Sequence, residues 1–101
     1  MAEIGMLGAG SWGTALTFEL SNRGHHVTVW SIAQDEVDML NSEHEQNVKL
    51  PGVKLPAEVQ ATTDLQRVIE GKDLLVLAVP SPFTRSTARS MKPFVGENQL
   101  I

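Results

Sequence analysis

The residues with the clearest chemical meaning lie in a short run near the start of the sequence, LGAGSWGTAL. Gly8, Gly10 and Gly13 in this run have the spacing G-x-G-x-x-G. Between a strand and a helix, such glycines allow a tight turn, a close approach of the backbone to a pyrophosphate, and close packing of the helix on the strand. The first amides of that helix bind phosphate oxygens. The spacing therefore indicates a dinucleotide-binding turn, and a tight turn without a ligand is the alternative.

Two further side chains in this run bear on the same hypothesis. Ser11 is placed to add a hydroxyl donor beside the phosphates. Trp12 follows it at the mouth of the turn, where it would contact the cofactor. The alternative for Trp12 is an anchor in the hydrophobic core, since tryptophan is mostly buried in globular proteins.

The segment after the second predicted strand, WSIAQDE, concerns the choice of dinucleotide. NAD-binding proteins with this glycine pattern usually carry an acidic residue there, which binds the ribose 2′-hydroxyl, whereas an arginine accommodates the 2′-phosphate of NADP. Residues 31–34 carry no charge, and Asp35 and Glu36 come late enough to belong to the next helix. Ser31 can form a hydrogen bond with either cofactor. The sequence therefore leaves NAD and NADP both open.

The remaining polar residues form no convincing catalytic or metal-binding group. The chain has no cysteine, which excludes disulfides, thiolate nucleophiles and cysteine-bound metals. The acidic group at residues 35–38 is interpreted as the start of a helix and not as a metal site. We expect solvated surface positions for the histidines and for three loop lysines: His25, His26, His44, Lys49, Lys54 and Lys72.

Strand-like and helix-like segments alternate along the whole chain. Such alternation with short connections predicts a parallel sheet covered by helices on both faces. The predicted fold is therefore doubly wound α/β of the Rossmann type, incomplete, with strand order 3-2-1-4-5. Strands are predicted at residues 4–7, 27–30, 59–62, 74–79 and 99–101, and helices at 11–23, 35–44, 64–70 and 83–91, with Gly24 ending the first helix and Asp64 capping the third.

Length and charge set broad limits on the protein's class. A chain of 101 residues is about one domain, and its net charge of −4 indicates neither a nucleic-acid partner nor an anionic membrane surface. The first residues lack the basic and apolar regions of a signal peptide. The simplest expected location is the cytoplasm.

Four stretches together resemble one family, the bacterial NAD(P)-dependent glycerol-3-phosphate dehydrogenases. They are GMLGAGSWGTAL, VTVW, LPGVKLP, and TTDL followed by GKDLLVLAVPS. The resemblance implies reversible hydride transfer between a nicotinamide cofactor and dihydroxyacetone phosphate, which yields sn-glycerol 3-phosphate for phospholipid synthesis. Many family members carry a basic residue where this chain has Ile32 or Ala33, so the resemblance does not imply a preference for NADPH.

The resemblance also implies a set of cofactor-binding residues. Pro80, with Ser81 and Phe83, would border the nicotinamide, although the prolines here are as readily interpreted as a strand stop. The full set is Gly8, Ala9, Gly10, Ser11, Trp12, Gly13, Ser31, Ile32, Pro80 and Phe83.

The family continues beyond a fifth strand into a helical substrate domain that carries a catalytic lysine. Residues 1–101 are therefore predicted to be a partial dinucleotide-binding domain that has no catalytic residue, is inactive alone and self-associates through exposed apolar surface. Two other functions are considered. One is a non-catalytic nucleotide-binding or sensing module. The other is a related dehydrogenase acting on a 3-hydroxy acid or ketopantoate.

Overall fold

The computed structural model describes residues 2–79, 84–96 and 99. Within them, four strands and four helices alternate as the sequence predicts. They are β1 (Glu3–Leu7), α1 (Ser11–Asn22), β2 (His26–Trp30), α2 (Gln34–Glu43), β3 (Gln60–Thr62), α3 (Leu65–Ile69), β4 (Leu74–Leu77) and α4 (Thr84–Met91).

The strands form one parallel sheet in the order β3-β2-β1-β4. This arrangement confirms the predicted fold class and the order of the first four strands. Of the predicted fifth strand, residues 100 and 101 lie outside the described residues. Gln99 is not in a strand, and its side-chain amide donates to the carbonyls of Ile69 and Lys72.

Helices cover both faces of the sheet. On one face, Ile4 and Met6 of β1 pack with Val37 and Leu40 of α2 and with the half-buried Leu16 of α1. On the other face, side chains from β1, α3, β4 and α4 form a second cluster, which contains Leu7, Val68, Ile69, Leu75 and Met91. The two clusters alternate along β1 because successive side chains of a strand point to opposite faces. This double cover holds the ends of the central strands in fixed positions.

Two predicted helix ends are confirmed in detail. At the end of α1 the N–H of Gly24, at φ 93°, donates to the Ser21 carbonyl, and the N–H of His25 donates to that of Leu20. These two bonds form a Schellman motif, which favours glycine at the left-handed position. At the start of α3, the carboxylate of Asp64 accepts the N–H of Gln66 at 3.1 Å. It therefore acts as an N-cap, as predicted.

The third and fourth strands are shorter than predicted. The N–H of Val59 bonds the Pro56 carbonyl and not the neighbouring strand, so β3 starts one residue later. β4 ends at Leu77, two residues before the apolar run ends. Beyond β4 the N–H of Ala78 still donates to the Leu7 carbonyl of β1 at 2.8 Å, and Ala78 then lies against the glycine turn. Apolarity marks burial, which continues past the end of the regular strand.

The described ranges contain neither a helix long and apolar enough to cross a membrane nor a group of three or more metal-binding side chains.

Candidate functional site

A cleft of about 470 Å³ opens where β1, β2 and β4 end. This is the edge at which open parallel sheets bind ligands. The turn after β1, the connection from β2 to α2, the segment after β4, and α4 all contribute to its wall. The lining residues are Gly8, Ala9, Gly10, Trp30, Ser31, Ile32, Glu36, Lys49, Thr63, Leu65, Ala78, Val79, Ser86, Thr87 and Ser90.

Two of the three motif glycines are required by the fold itself. Gly8 has φ 131°, and a Cβ there would lie 2.6 Å from the Ala78 carbonyl oxygen. A Cβ on Gly13 would collide with the carbonyl oxygen of Gly8. Gly8 therefore allows the turn beside β4, and Gly13 allows α1 to start close against that turn, in agreement with the predicted roles of these glycines.

Gly10 differs from the other two glycines. Its backbone is extended, at φ −75° and ψ −171°, a conformation that any residue adopts. A Cβ on Gly10 would have no heavy atom within 4 Å, and the residue lines the cleft. Packing within the described chain therefore does not explain a glycine here. A side chain at this position would occupy only the space of the cleft.

The start of α1 adjoins the cleft at Gly10, and its first turn has neither a side-chain cap nor an acidic residue. The first helical bond runs from Thr14 N–H to the Gly10 carbonyl at 2.9 Å, so the donors of residues 11–13 precede it. Gly10 offers no side-chain cap, and the first turn of α1 contains no acidic residue. By contrast, α2 has two carboxylates in its first turn. An uncapped helix start of this kind favours an anion.

The predicted site residues divide into three groups. Gly8, Ala9, Gly10, Ser31 and Ile32 all line the cleft.

Ser11, Trp12 and Gly13 lie in the first turn of α1 and are not among the lining residues. Trp12 is 68% exposed, so the alternative of a core anchor is wrong. Its indole lies on the surface because position 12 is on the outward side of the helix, opposite the buried Thr14 and Thr17. Pro80, Ser81 and Phe83 lie outside the described residues.

Glu36 is a charged cleft residue that the sequence interpretation missed. Its carboxylate accepts hydrogen bonds from Ser31 Oγ at 2.6 Å and Gln46 Nε2 at 2.8 Å, and it pairs with Lys49 Nζ at 3.1 Å. It belongs to α2, as predicted, yet its side chain reaches back into the cleft. Glu36 is the third residue of that helix, and a glutamate at this position commonly turns back toward the preceding chain. This position in the helix was the one sequence signal that could have predicted a Glu36 side chain turned toward β2.

Glu36 is held in its ionised form. Its side chain is 16% exposed, and burial raises the pKa of its carboxyl. Hydrogen bonds from Ser31, Lys49 and Gln46, together with the charge of Lys49, outweigh burial and hold the pKa below its usual 4.5. The cleft therefore contains a carboxylate at neutral pH.

Gln46 ties the long loop to the glycine turn. It is fully buried, and its Nε2 donates to the Ala9 carbonyl at 2.6 Å as well as to Glu36. The sequence predicted only a loop at residues 45–58, because nothing local marks a glutamine as buried. The long loop therefore supports the site.

Lys49 and Lys54 are exposed at the surface, as predicted, whereas Lys72 is half-buried. Lys49 pairs with Glu36 and Lys54 with Glu45, while Lys72 donates to the carbonyls of Arg67 and Glu70 near the end of α3. All three histidines are half-buried. Nδ1 of His26 lies 2.7 Å from Glu3, and Nδ1 of His25 accepts the N–H of Ala2. His25 and His26 make these contacts because β1 and β2 start side by side, and the composition of the turn does not reveal that pairing.

The comparison with protein families fits this geometry. A family described as "NAD-dependent glycerol-3-phosphate dehydrogenase N-terminus" matches residues 3–101. The chain belongs to this family. Membership agrees with the resemblance in the sequence.

Individual relatives agree. The chain is 56% identical over 101 residues to "Glycerol-3-phosphate dehydrogenase [NAD(P)+]" of Agathobacter rectalis, and 46% identical to a protein of the same name numbered 2 in Lactobacillus delbrueckii. Each alignment covers the whole of this chain and 30% of the relative's length. The crystal structure of glycerol-3-phosphate dehydrogenase from Coxiella burnetii superposes with a TM-score of 0.91 at 36% identity, over 97% of this chain and 30% of that one.

Proposed function

We propose that this chain is the dinucleotide-binding part of a glycerol-3-phosphate dehydrogenase. The whole protein would transfer a hydride between a nicotinamide cofactor and dihydroxyacetone phosphate or sn-glycerol 3-phosphate. Gly10 carries the proposal for this chain, because the fold does not require a glycine there and a bound pyrophosphate does. The family match supports the substrate over a 3-hydroxy acid or ketopantoate and favours a dehydrogenase over a sensing module.

Each part of the cleft has a distinct role in this proposal. The first amides of α1 would bind the pyrophosphate, and Gly10 would leave room for it. Ser31, directly after β2, and Glu36, in the first turn of α2, would contact the ribose of the adenosine half. Ala78 and Val79 line the cleft after β4. Pro80 and Phe83 are proposed to border the nicotinamide, as the resemblance implies. The bound nicotinamide ring supplies or accepts the hydride.

Catalysis would need groups that the described residues do not provide. The relatives are more than three times as long as this chain, which covers 30% of them. We propose that the substrate-binding and acid–base groups of the whole protein lie in that further length, and that residues 1–101 bind the cofactor without turnover. We propose the cytoplasm as the location of the reaction, and the resemblance implies that its product feeds glycerophospholipid synthesis.

Calorimetric titration of the chain with NADH tests the proposal. Gly10→Val is expected to abolish measurable binding, because a branched side chain would project into the cleft at the pyrophosphate position. Gly96→Val is the matched control. Gly96 is exposed outside the cleft, and an added Cβ there would meet only Gln99, at an ordinary 3.7 Å.

Unchanged binding by Gly10→Val would contradict the assigned role of Gly10. Turnover of dihydroxyacetone phosphate by residues 1–101 alone would contradict the proposed division between cofactor binding and catalysis.

A further inference from the structure

The connection from β2 to α2 presents an unusual set of groups to the cleft. Ser31 and Glu36 face it together, and Lys49 lies against the carboxylate. We propose that these three residues make the site select a dinucleotide with a free ribose 2′-hydroxyl, NAD, and reject the 2′-phosphate of NADP. Glu36 is the specificity-determining residue. This inference rests on the proposed cofactor site.

The hydrogen bonds of Ser31 leave it an acceptor toward the cleft. Its Oγ accepts the N–H of Ala33 at 3.1 Å and donates its single proton to Glu36 at 2.6 Å. A ribose 2′-hydroxyl has a proton to donate to Ser31 or to the carboxylate. A fully ionised 2′-phosphate has only acceptor oxygens, so neither Ser31 nor the carboxylate could donate to it.

The charges that line the cleft also favour NAD over NADP. A phosphate monoester carries a charge of about −1.5 to −2 at neutral pH, so its site needs cations that are not already paired. Among the lining residues that the structure describes, Lys49 is the one cation, and its Nζ lies 3.1 Å from Glu36. Arg85 and Arg89 line a different groove, beside Leu77 and Met91. Glu36 and Lys49 together leave the cleft near neutral, which suits a hydroxyl.

The carboxylate is also held in place. Gln46 is fully buried and donates to both Glu36 and the Ala9 carbonyl. If Glu36 rotated out of the cleft to admit a phosphate, a buried donor would lose its partner, which is costly. Glu36 is thereby fixed relative to the glycine turn that would hold the pyrophosphate. An ionised carboxylate at a set distance from the turn distinguishes the two cofactors by repulsion.

Paired titrations with NADH and NADPH test the inference. The chain is expected to bind NADH at least about tenfold more tightly than NADPH. Glu36→Gln keeps the shape of the side chain and removes its charge, so it should reduce this ratio by roughly tenfold. Asp38→Asn is the matched control, since it removes the same charge from the exposed side of the same helix and should leave the ratio unchanged.

The outcomes separate this inference from the proposed function. Binding of neither dinucleotide would contradict both. Equal binding, or tighter binding of NADPH, would contradict the inference alone, as would a Glu36→Gln variant with an unchanged ratio. If circular dichroism shows that Glu36→Gln does not fold, NADPH binding by Lys49→Met tests the inference independently. Without its cation the cleft should bind NADPH still more weakly, and tighter NADPH binding would overturn the assignment.

Discussion

Three glycines of one motif are present for different physical reasons. Gly8 and Gly13 are required by contacts inside the chain, whereas Gly10 borders open space. The sequence predicted these roles because the spacing has a known mechanical meaning. It did not predict that Glu36 would enter the cleft, because its position in the sequence places it on a helix. Only the direction of its side chain brings it to Ser31.

Stability should separate Gly13 from Gly10. Gly13→Ala is expected to lower the free energy of unfolding by roughly 2 kcal/mol, since its Cβ would collide with the Gly8 carbonyl. Gly10→Ala should change it by less than about 0.5 kcal/mol because its Cβ would have no neighbour. Urea unfolding of both variants measures the difference, and equal losses would contradict the assigned roles.

The Glu36 carboxylate should also make stability depend on pH. Its pKa is below 4.5 in the folded chain, so its contribution is complete above the unfolded value and is lost as pH falls through the folded value. The stability difference between the wild type and Glu36→Gln should therefore be largest near pH 7 and shrink below pH 4.5. Urea midpoints at several pH values measure this. A gap that widens on acidification would contradict the account.

At the scale of elements, order and type followed from the sequence better than boundaries did. Apolar runs and capping residues located each strand and helix, including the ends at Gly24 and Asp64. The start of β3 depends on a local bond from the Val59 N–H to the Pro56 carbonyl, whereas the end of β4 depends on its contacts with the end of β1 and the glycine turn, far away in sequence. The loop at residues 45–58 was not predicted to support the site, because Gln46 contacts a residue 37 positions away.

The cap of α3 gives a test at this scale. Asp64→Ala removes the acceptor for the Gln66 N–H and should cost about 1 kcal/mol of unfolding free energy. Asp38→Ala is the control, because Asp38 is exposed within α2 and its carboxylate accepts a hydrogen bond from the side chain of Gln34 and not from a helix-end N–H. Thermal unfolding followed by circular dichroism compares the two. Equal effects would show that the cap does not stabilise α3.

At the scale of the whole molecule, the alternating pattern predicted a parallel sheet, and the glycine motif favoured the Rossmann-type strand order among the orders that such alternation allows. The described part of β4 pairs with β1 alone. Beside it lies a groove with apolar and basic walls, which includes Leu77, Met91 and Val95. An open strand edge next to apolar surface favours contacts between chains.

We expect the chain to self-associate through this groove. The apparent mass in sedimentation experiments should rise with chain concentration, and Val95→Glu should reduce the effect by placing a charge among the apolar side chains. Val48→Glu is the control, since Val48 is apolar and 76% exposed but lies outside the groove. A monomer at every concentration would contradict this prediction.

The central claim is that the cleft at the carboxyl ends of β1 and β2 binds a nicotinamide dinucleotide. Titration of the isotope-labelled chain with NADH, followed by amide NMR shifts, tests it most directly. The account predicts the largest shifts at residues 8–13 and 31–36, where the pyrophosphate and ribose would lie. An unchanged spectrum, or shifts confined to the groove around Leu77 and Arg89, would contradict it.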